Sequence, residues 1–215
     1  LRGLLGRRRG ATATAASLLL AFTIVLVGSR AEAQTTSDEA AMRGTLEFRL
    51  AHVLTGDPQV DQTARAGLAG LTLVLARRTS VEAGEPVSVD IEHDEILFYP
   101  LLYWPMADQQ TTLSDAALAK VAHFMRTGGT ILFDTRDQDV GGFGGQGTVG
   151  PGAQRLRQLL SRLDIPPLVP VPADHILTKA FYLTQDFPGR YAGGKVWVER
   201  HGRGSNDGVS PVVIG

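Results

Sequence analysis

The stretch from Ser114 to Asp134 constrains the fold more than any other part of the chain. Ser114 stands as an N-cap, and Leu118, Val121, Ala122 and Met125 recur on one helical face. Gly128 marks the C-terminal stop, and Thr130-Ile-Leu-Phe-Asp134 comes next as an apolar strand. Upstream, Ile96-Leu-Phe-Tyr99 has the continuous apolar character of a strand buried on both faces. A strand, a helix and a strand joined by short turns form a right-handed βαβ unit. The chain is therefore read as α/β with a mainly parallel sheet, in which ligands bind outside the carboxyl ends of the strands.

The remaining segments extend that pattern. Leu46 to Val53 alternates at the period of a strand, and a turn at Thr55-Gly-Asp-Pro58 leads into a helix from about Val60 to Arg77. Val60, Ala64, Leu68, Leu71 and Leu75 share one face of that helix. Val87 and Val89 predict a short edge strand, and Leu156, Leu159, Leu160 and Leu163 a third helix. Pro166 to Pro172 can only be an extended connector or edge strand, because each proline removes a ladder donor. Phe181, Tyr182 and Leu183 are expected to be packed, Lys195 to Glu199 alternates as a strand, and Pro211 to Ile214 reads as another. The sequence begins at Leu1 and stops at Gly215, directly after that strand, so the domain is expected to be a fragment, short at its C-terminus.

A leader precedes all of this. No charge occurs between Arg9 and Arg30, four arginines stand before the apolar run, and Ala31-Glu32-Ala33 after it has the small-x-small form of a cleavage site. The same run, about 20 residues, is long enough to span a bilayer as a retained anchor. Either way the arginine asymmetry keeps the N-terminus in the cytoplasm and exports the rest of the chain. Residues 1–33 are thus a signal peptide or transmembrane anchor, 34–44 a polar linker, and 45–215 the α/β domain.

About 180 residues remain after the leader, enough for one domain that buries roughly 70% of its unfolded surface. Removing the five leader arginines and Glu32 from 21 basic and 22 acidic residues leaves 16 and 21, a net charge of −5. That sign disfavours a nucleic-acid partner. The chain has no cysteine, which excludes disulfides, a thiol nucleophile and thiolate metal sites.

Candidate chemistry gathers in a few places. Asp134, Thr135, Arg136 and Asp137 leave a strand at its carboxyl end, and either bind a ligand or metal, with Arg136 as a planar fork, or brace the glycine-rich segment 141–152. Gly142-Phe-Gly-Gly-Gln-Gly147 spells G-x-G-x-x-G but does not run directly from strand into helix, and no acidic residue stands at the ribose position; a glycine-rich loop is the better reading. The five histidines lack metal-ligand spacing. Glu92-His93-Asp94-Glu95 reads as a solvated turn. Asp174 and His175 could serve in acid/base work or cap the helix after them. Tyr103 and Trp104, expected with Tyr99 just past a strand, line a carbohydrate or partner groove or close the core.

Four segments together carry a resemblance. They are Phe98-Tyr-Pro-Leu-Leu-Tyr-Trp-Pro105, Gly128-Gly-Thr-Ile-Leu-Phe-Asp-Thr-Arg-Asp137, Pro172-Ala-Asp-His-Ile176 with Phe181-Tyr182, and Phe187-Pro-Gly-Arg-Tyr191. On these the chain resembles a bacterial domain of unknown function, the family numbered 4159. The resemblance implies a flavodoxin-like sheet with flanking helices, similar to class I glutamine amidotransferases. It also implies a place at the C-terminal end of a membrane protein whose N-terminal part resembles the BatA type, with residues 11–28 as the last transmembrane helix. An amidotransferase needs a cysteine nucleophile, which this chain lacks, so no glutaminase activity is expected.

The expected function is a membrane-tethered, non-catalytic ligand- or partner-binding domain of the inner membrane, facing the periplasm. Its partners are the membrane through residues 11–28 and other envelope proteins or domains of the same protein. The candidate ligand-binding residues are Tyr103, Trp104, Asp134, Arg136, Asp137, Asp174 and His175, with no cofactor and no metal. The alternative is an envelope hydrolase that uses Asp134, Asp137 and His175 with a bound metal or water.

Overall fold

A computed structural model describes residues 47–108, 110–137, 150–179, 187, 194–200 and 210–215. The chain divides into two compact units, Leu1–Leu46 and Glu47–Gly215. The first, which holds the leader and linker, lies outside the described residues, as do Gly142-to-Gly147 and Phe181-to-Leu183. Among the described residues no helix is long and apolar enough to cross a membrane.

The second unit is a mixed α/β structure built on one seven-stranded sheet. In chain order the strands are β1 (Ala51–Val53), β2 (Val87–Val89), β3 (Leu101–Pro105), β4 (Thr130–Asp134), β5 (Leu168–Pro170), β6 (Trp197–Glu199) and β7 (Val212–Ile214). The helices are α1 (Pro58–Arg78), α2 (Asp115–Arg126), α3 (Pro151–Leu160) and the single turn α4 (Ile176–Lys179). The strands lie in the order β2-β1-β3-β4-β7-β6-β5. Pairings from β2 through β7 are parallel, and β6 joins β7 and β5 antiparallel.

Side-chain alternation divides the helices between the two faces of the sheet. Ala51, Val53, Leu102, Trp104, Ile131, Phe133, Val212 and Ile214 enter the main core, with Leu118, Val121, Phe124 and Met125 of α2 and Leu156 of α3. His52 projects to the opposite face, where α1 packs on β1, β2 and β3 through the buried Val60, Ala64 and Leu68.

Local chemistry fixes each helix end. Asp57 caps α1 by accepting from the Gln59 and Val60 amides, and Pro58 fills the first turn, where a missing N–H costs nothing. Ser114 caps α2 through the Ala117 amide. At its other end Gly128, at φ 99°, takes the left-handed position, and the Gly128 and Gly129 amides return to Met125 and Phe124.

Several predicted elements differ in extent; α3 ends at Leu160, so Leu163, expected on its apolar face, packs from the turn after it. The strand expected over Ile96-to-Tyr99 is a turn, and the strand is Leu101–Pro105. The Glu95 carboxylate takes the amides of Ile96 and Leu97, and the Tyr99 amide closes onto the Ile96 carbonyl, so these donors leave the ladder. Tyr103 and Trp104 therefore lie within β3 rather than beyond it. The first strand begins at Ala51 rather than Leu46, and the sixth at Trp197 rather than Lys195. Leu71, expected on the inner face of α1, is exposed. Pro170, as the prolines required, sits on the edge strand β5.

Candidate functional site

The strand order reverses at β1: the chain moves to β2 on one side and to β3 and β4 on the other. Loops leaving β1 and β3 therefore diverge and leave a crevice at their carboxyl ends. An open cleft of about 390 Å³ lies there, lined by Thr55, Gly56 and Asp61 after β1, by Asp90 and Glu92 after β2, and by Trp104, Gln110 and Thr111 from β3 onward. A second hollow of about 170 Å³ shares Trp104, Gln110, Thr111 and Leu113 with it and reaches Arg155 and Arg162. A larger groove of about 480 Å³, between α2 and the start of β7, has Arg126 and Asp164 as its charged groups and is otherwise lined by apolar residues. Acidic groups, Asp61, Asp90 and Glu92, and its place at the reversal of strand order distinguish the first cleft from the second, whose charged groups are Arg155 and Arg162.

Its walls are held by their own carboxylates. Asp61 accepts from the Thr55 amide at 2.9 Å and from its hydroxyl at 2.7 Å, while Asp57 holds the Gln59 and Val60 amides. These are the donors that a βα turn otherwise offers to a bound anion. On the facing turn, Glu92 accepts from the Ser114 amide at 2.8 Å and its hydroxyl at 2.6 Å. Those bonds hold the Glu92 carboxyl below its ordinary pKa. His93 Nδ1 lies 2.9 Å from Asp90, lowering the Asp90 pKa and raising its own. The Lys120 ammonium donates to the carbonyls of Ile91 at 3.0 Å and Asp94 at 2.7 Å. The acidic segment 92–95 is the exposed turn expected from sequence, and its bonds to Ser114 and Lys120 tie it to α2.

Trp104 forms the floor shared by both hollows. It is fully buried, its ring centroid lies 5.4 Å from that of Phe133, and its indole N–H has no hydrogen-bond acceptor among the described residues. Tyr103, on the opposite face of β3, donates its hydroxyl to Asp134 Oδ2 at 2.6 Å.

At the carboxyl end of β4 the structure brings Tyr103, Asp134, Arg136 and Asp137 together. Asp134 Oδ1 also accepts from the Arg136 amide at 2.8 Å, which holds Arg136 at φ 60°, a conformation that costs a non-glycine residue about 1 kcal/mol. That turn aims Asp137 at the start of α3, where its carboxylate accepts from the Gly152 amide at 3.2 Å and the Ala153 amide at 2.7 Å. Gly150, at the N-cap, has no side chain to supply this bond. Asp137 caps a helix from outside it, while the Arg136 guanidinium donates to the Met106 carbonyl.

His175 lies elsewhere. Its Nε2 is 2.9 Å from Ser210 Oγ, and Ser210 precedes β7 beside Thr130, the first residue of β4. Four residue steps along β4, about 13 Å, separate that edge from Asp134. The constellation of Asp134, Asp137 and His175 that a hydrolase would need is therefore not assembled, since two members sit at one end of the sheet and the third at the other. Nδ1 of His175 accepts from the Leu177 amide at 3.2 Å, so in the neutral ring the proton is on Nε2, which donates to Ser210. A histidine in that tautomer cannot take the serine proton. It caps α4, the second of the two roles its position allowed, while Asp174 is exposed beside it. Among the described residues no group of three or more His, Asp or Glu side chains could hold a metal ion.

His52 is the other buried imidazole among the described residues, 2.9 Å from Ser88 Oγ. Burial is the main cause that pushes its pKa below 6.5, with Arg65 adding to the effect and Asp61 opposing it. The native ring stays neutral where the unfolded ring protonates, so the unfolded state binds more protons just below pH 6.5, and stability is lost as the pH falls through that value. The raised pKa of His93 acts in the opposite sense, but that pair is exposed and contributes little. The melting temperature is expected to fall between pH 7.5 and pH 5.5, and the fall to shrink in His52→Gln. Parallel slopes for the two proteins would remove His52 as the cause.

The residues that line the cleft, Thr55, Asp61, Asp90, Gln110 and Thr111, carry no motif that singles them out in the sequence. The turn at Thr55 to Pro58 was the available signal, but its meaning depends on which strand lies beside β1. A comparison with curated proteins finds no match. The family model described as domain of unknown function DUF4159 matches residues 49–215, most of the chain and nearly all of the sheet unit, and on that match the protein belongs to this family.

Proposed function

We propose that this domain is a non-catalytic ligand-binding module whose ligand occupies the cleft at the carboxyl ends of β1 and β3. The observation that carries the reading is the reversal of strand order at β1, with an open polar cleft at that point. The order β2-β1-β3-β4-β7 is the flavodoxin-like one, which supports a glutamine amidotransferase-like sheet that has no cysteine with which to run that chemistry. Asp61, Asp90 and Glu92 give the cleft a negative rim, and the turn amides are already bonded, so the ligand is neutral or cationic rather than phosphate-bearing. In the chain as a whole, the leader tethers the domain to the inner membrane through residues 11–28, facing the periplasm. There it works with other envelope proteins or with further domains of a BatA-like membrane protein.

Thermal-shift measurement of the chain against amines, polyols and nucleotides tests this. Stabilisation is expected from members of the first two groups and not from nucleotides, and it should vanish in Thr111→Trp, whose indole fills the cleft. Undiminished stabilisation of Thr111→Trp would place the ligand elsewhere.

A further inference from the structure

We infer that the second hollow, between the 110–113 segment and α3, binds a small organic carboxylate. It is a site of its own, whichever ligand occupies the neighbouring cleft. Its charged groups are Arg155 and Arg162, and among the described residues no acidic side chain lines it. In a domain of net negative charge, that local reversal of sign selects an anion. Arg155 and Leu159 share one face of α3 and Arg162 follows a turn later, so the spacing sets both guanidinium groups along one wall. Arg155 donates to the Asp108 carbonyl, and Arg162 to the Leu113 carbonyl at 2.7 Å and to Asp115 at 2.7 Å. A guanidinium has more N–H donors than these bonds use, and the Asp115 carboxylate is exposed, so that pair is weak.

The floor supplies an independent observation. Trp104 is fully buried, and its indole N–H has no acceptor among the described residues. A buried donor left in that state calls for an explanation, and an oxygen of a ligand seated against the ring provides one. Trp104, Met106, Leu113 and Leu159 also give the hollow an apolar wall, which an inorganic anion would leave unused and a hydrocarbon chain would cover. At about 170 Å³ the space admits a short carbon chain behind a carboxylate and excludes a nucleotide. The planar carboxylate matches the fork of either arginine.

The indole proton reports on this directly, because the chain has two tryptophans and Trp197→Phe tells their resonances apart. With the full chain in detergent, butyrate is expected to move the Trp104 indole N–H resonance downfield in a saturable way, while inorganic phosphate and butylamine leave it in place. Arg155→Met and Arg162→Met should each weaken the butyrate response by about tenfold. Arg155→Lys and Arg162→Lys should weaken it less, since each keeps the charge and a donor for the Asp108 or Leu113 carbonyl, which separates lost anion binding from lost folding. A resonance that ignores acetate, butyrate and hexanoate alike would overturn the inference, as would a butyrate response of equal affinity in both Met variants. An equal response to phosphate would make the hollow an unspecific anion site, and a response to butylamine alone would give it to the ligand of the cleft; either result overturns it too. The cleft is read separately through the amides of Thr55 and Gly56, which line it alone and which butyrate is expected to leave unmoved.

Discussion

Gly152→Ala is expected to destabilise the domain by about 3 kcal/mol, although helix propensity alone gives this change the opposite sign. Gly152 lies in the first turn of α3, and a Cβ there would stand 1.8 Å from the Thr135 carbonyl oxygen. Backbone cannot yield as a side chain can. The start of α3 must move away from the turn after β4, and that movement breaks the bonds from Asp137 to the Gly152 and Ala153 amides. Loss of such a cap adds about 1 kcal/mol to the overpacking cost. Chemical denaturation of the two proteins measures the difference directly. A variant as stable as the parent would show that α3 does not sit against Thr135 in this way.

Trp104→Ala is expected to cost more, about 3 to 5 kcal/mol, because it empties the centre of the main core and removes the contact with Phe133. In a domain of this size that lowers the melting temperature by on the order of 10 °C. Trp104→Phe should cost far less. It keeps an aromatic ring against Phe133 and removes an indole N–H that is buried without an acceptor among the described residues, a group whose desolvation they leave unrewarded in the parent. Thermal melts of the three proteins at one pH check the pair of expectations. Equal losses for Ala and Phe would mean that the indole nitrogen has a partner that matters to stability.

How much the sequence disclosed depends on the range of the interactions involved. The unit from Ser114 to Asp134 is legible because its signals are local: a capping serine, an apolar helical stripe, a glycine at positive φ and a short apolar strand. The turn at Ile96 is not, since the side chain of Glu95 diverts amides that an apolar run would otherwise give to a ladder. The candidate site divides in the same way. Asp134 to Asp137 could be placed at a strand's carboxyl end from sequence, but the partner of Asp137 is fifteen residues away across a glycine-rich segment. His175 depends on Ser210, 35 residues distant, and its separation from Asp134 is a property of the sheet. The cleft itself needs β1 between β2 and β3, an order set by tertiary pairing and absent from any local pattern.

Amide resonance mapping of a stabilising amine or polyol on the chain tests the central claim most directly. Shifts confined to Thr55, Gly56, Gln110 and Thr111, with those of Asp137, Gly152 and Leu177 unmoved, are the result expected of a ligand at the β1/β3 crevice. Shifts centred on Asp137 and Gly152, or on Leu177 and Ser210, would contradict it and move the site to the end of β4 or to the opposite edge of the sheet.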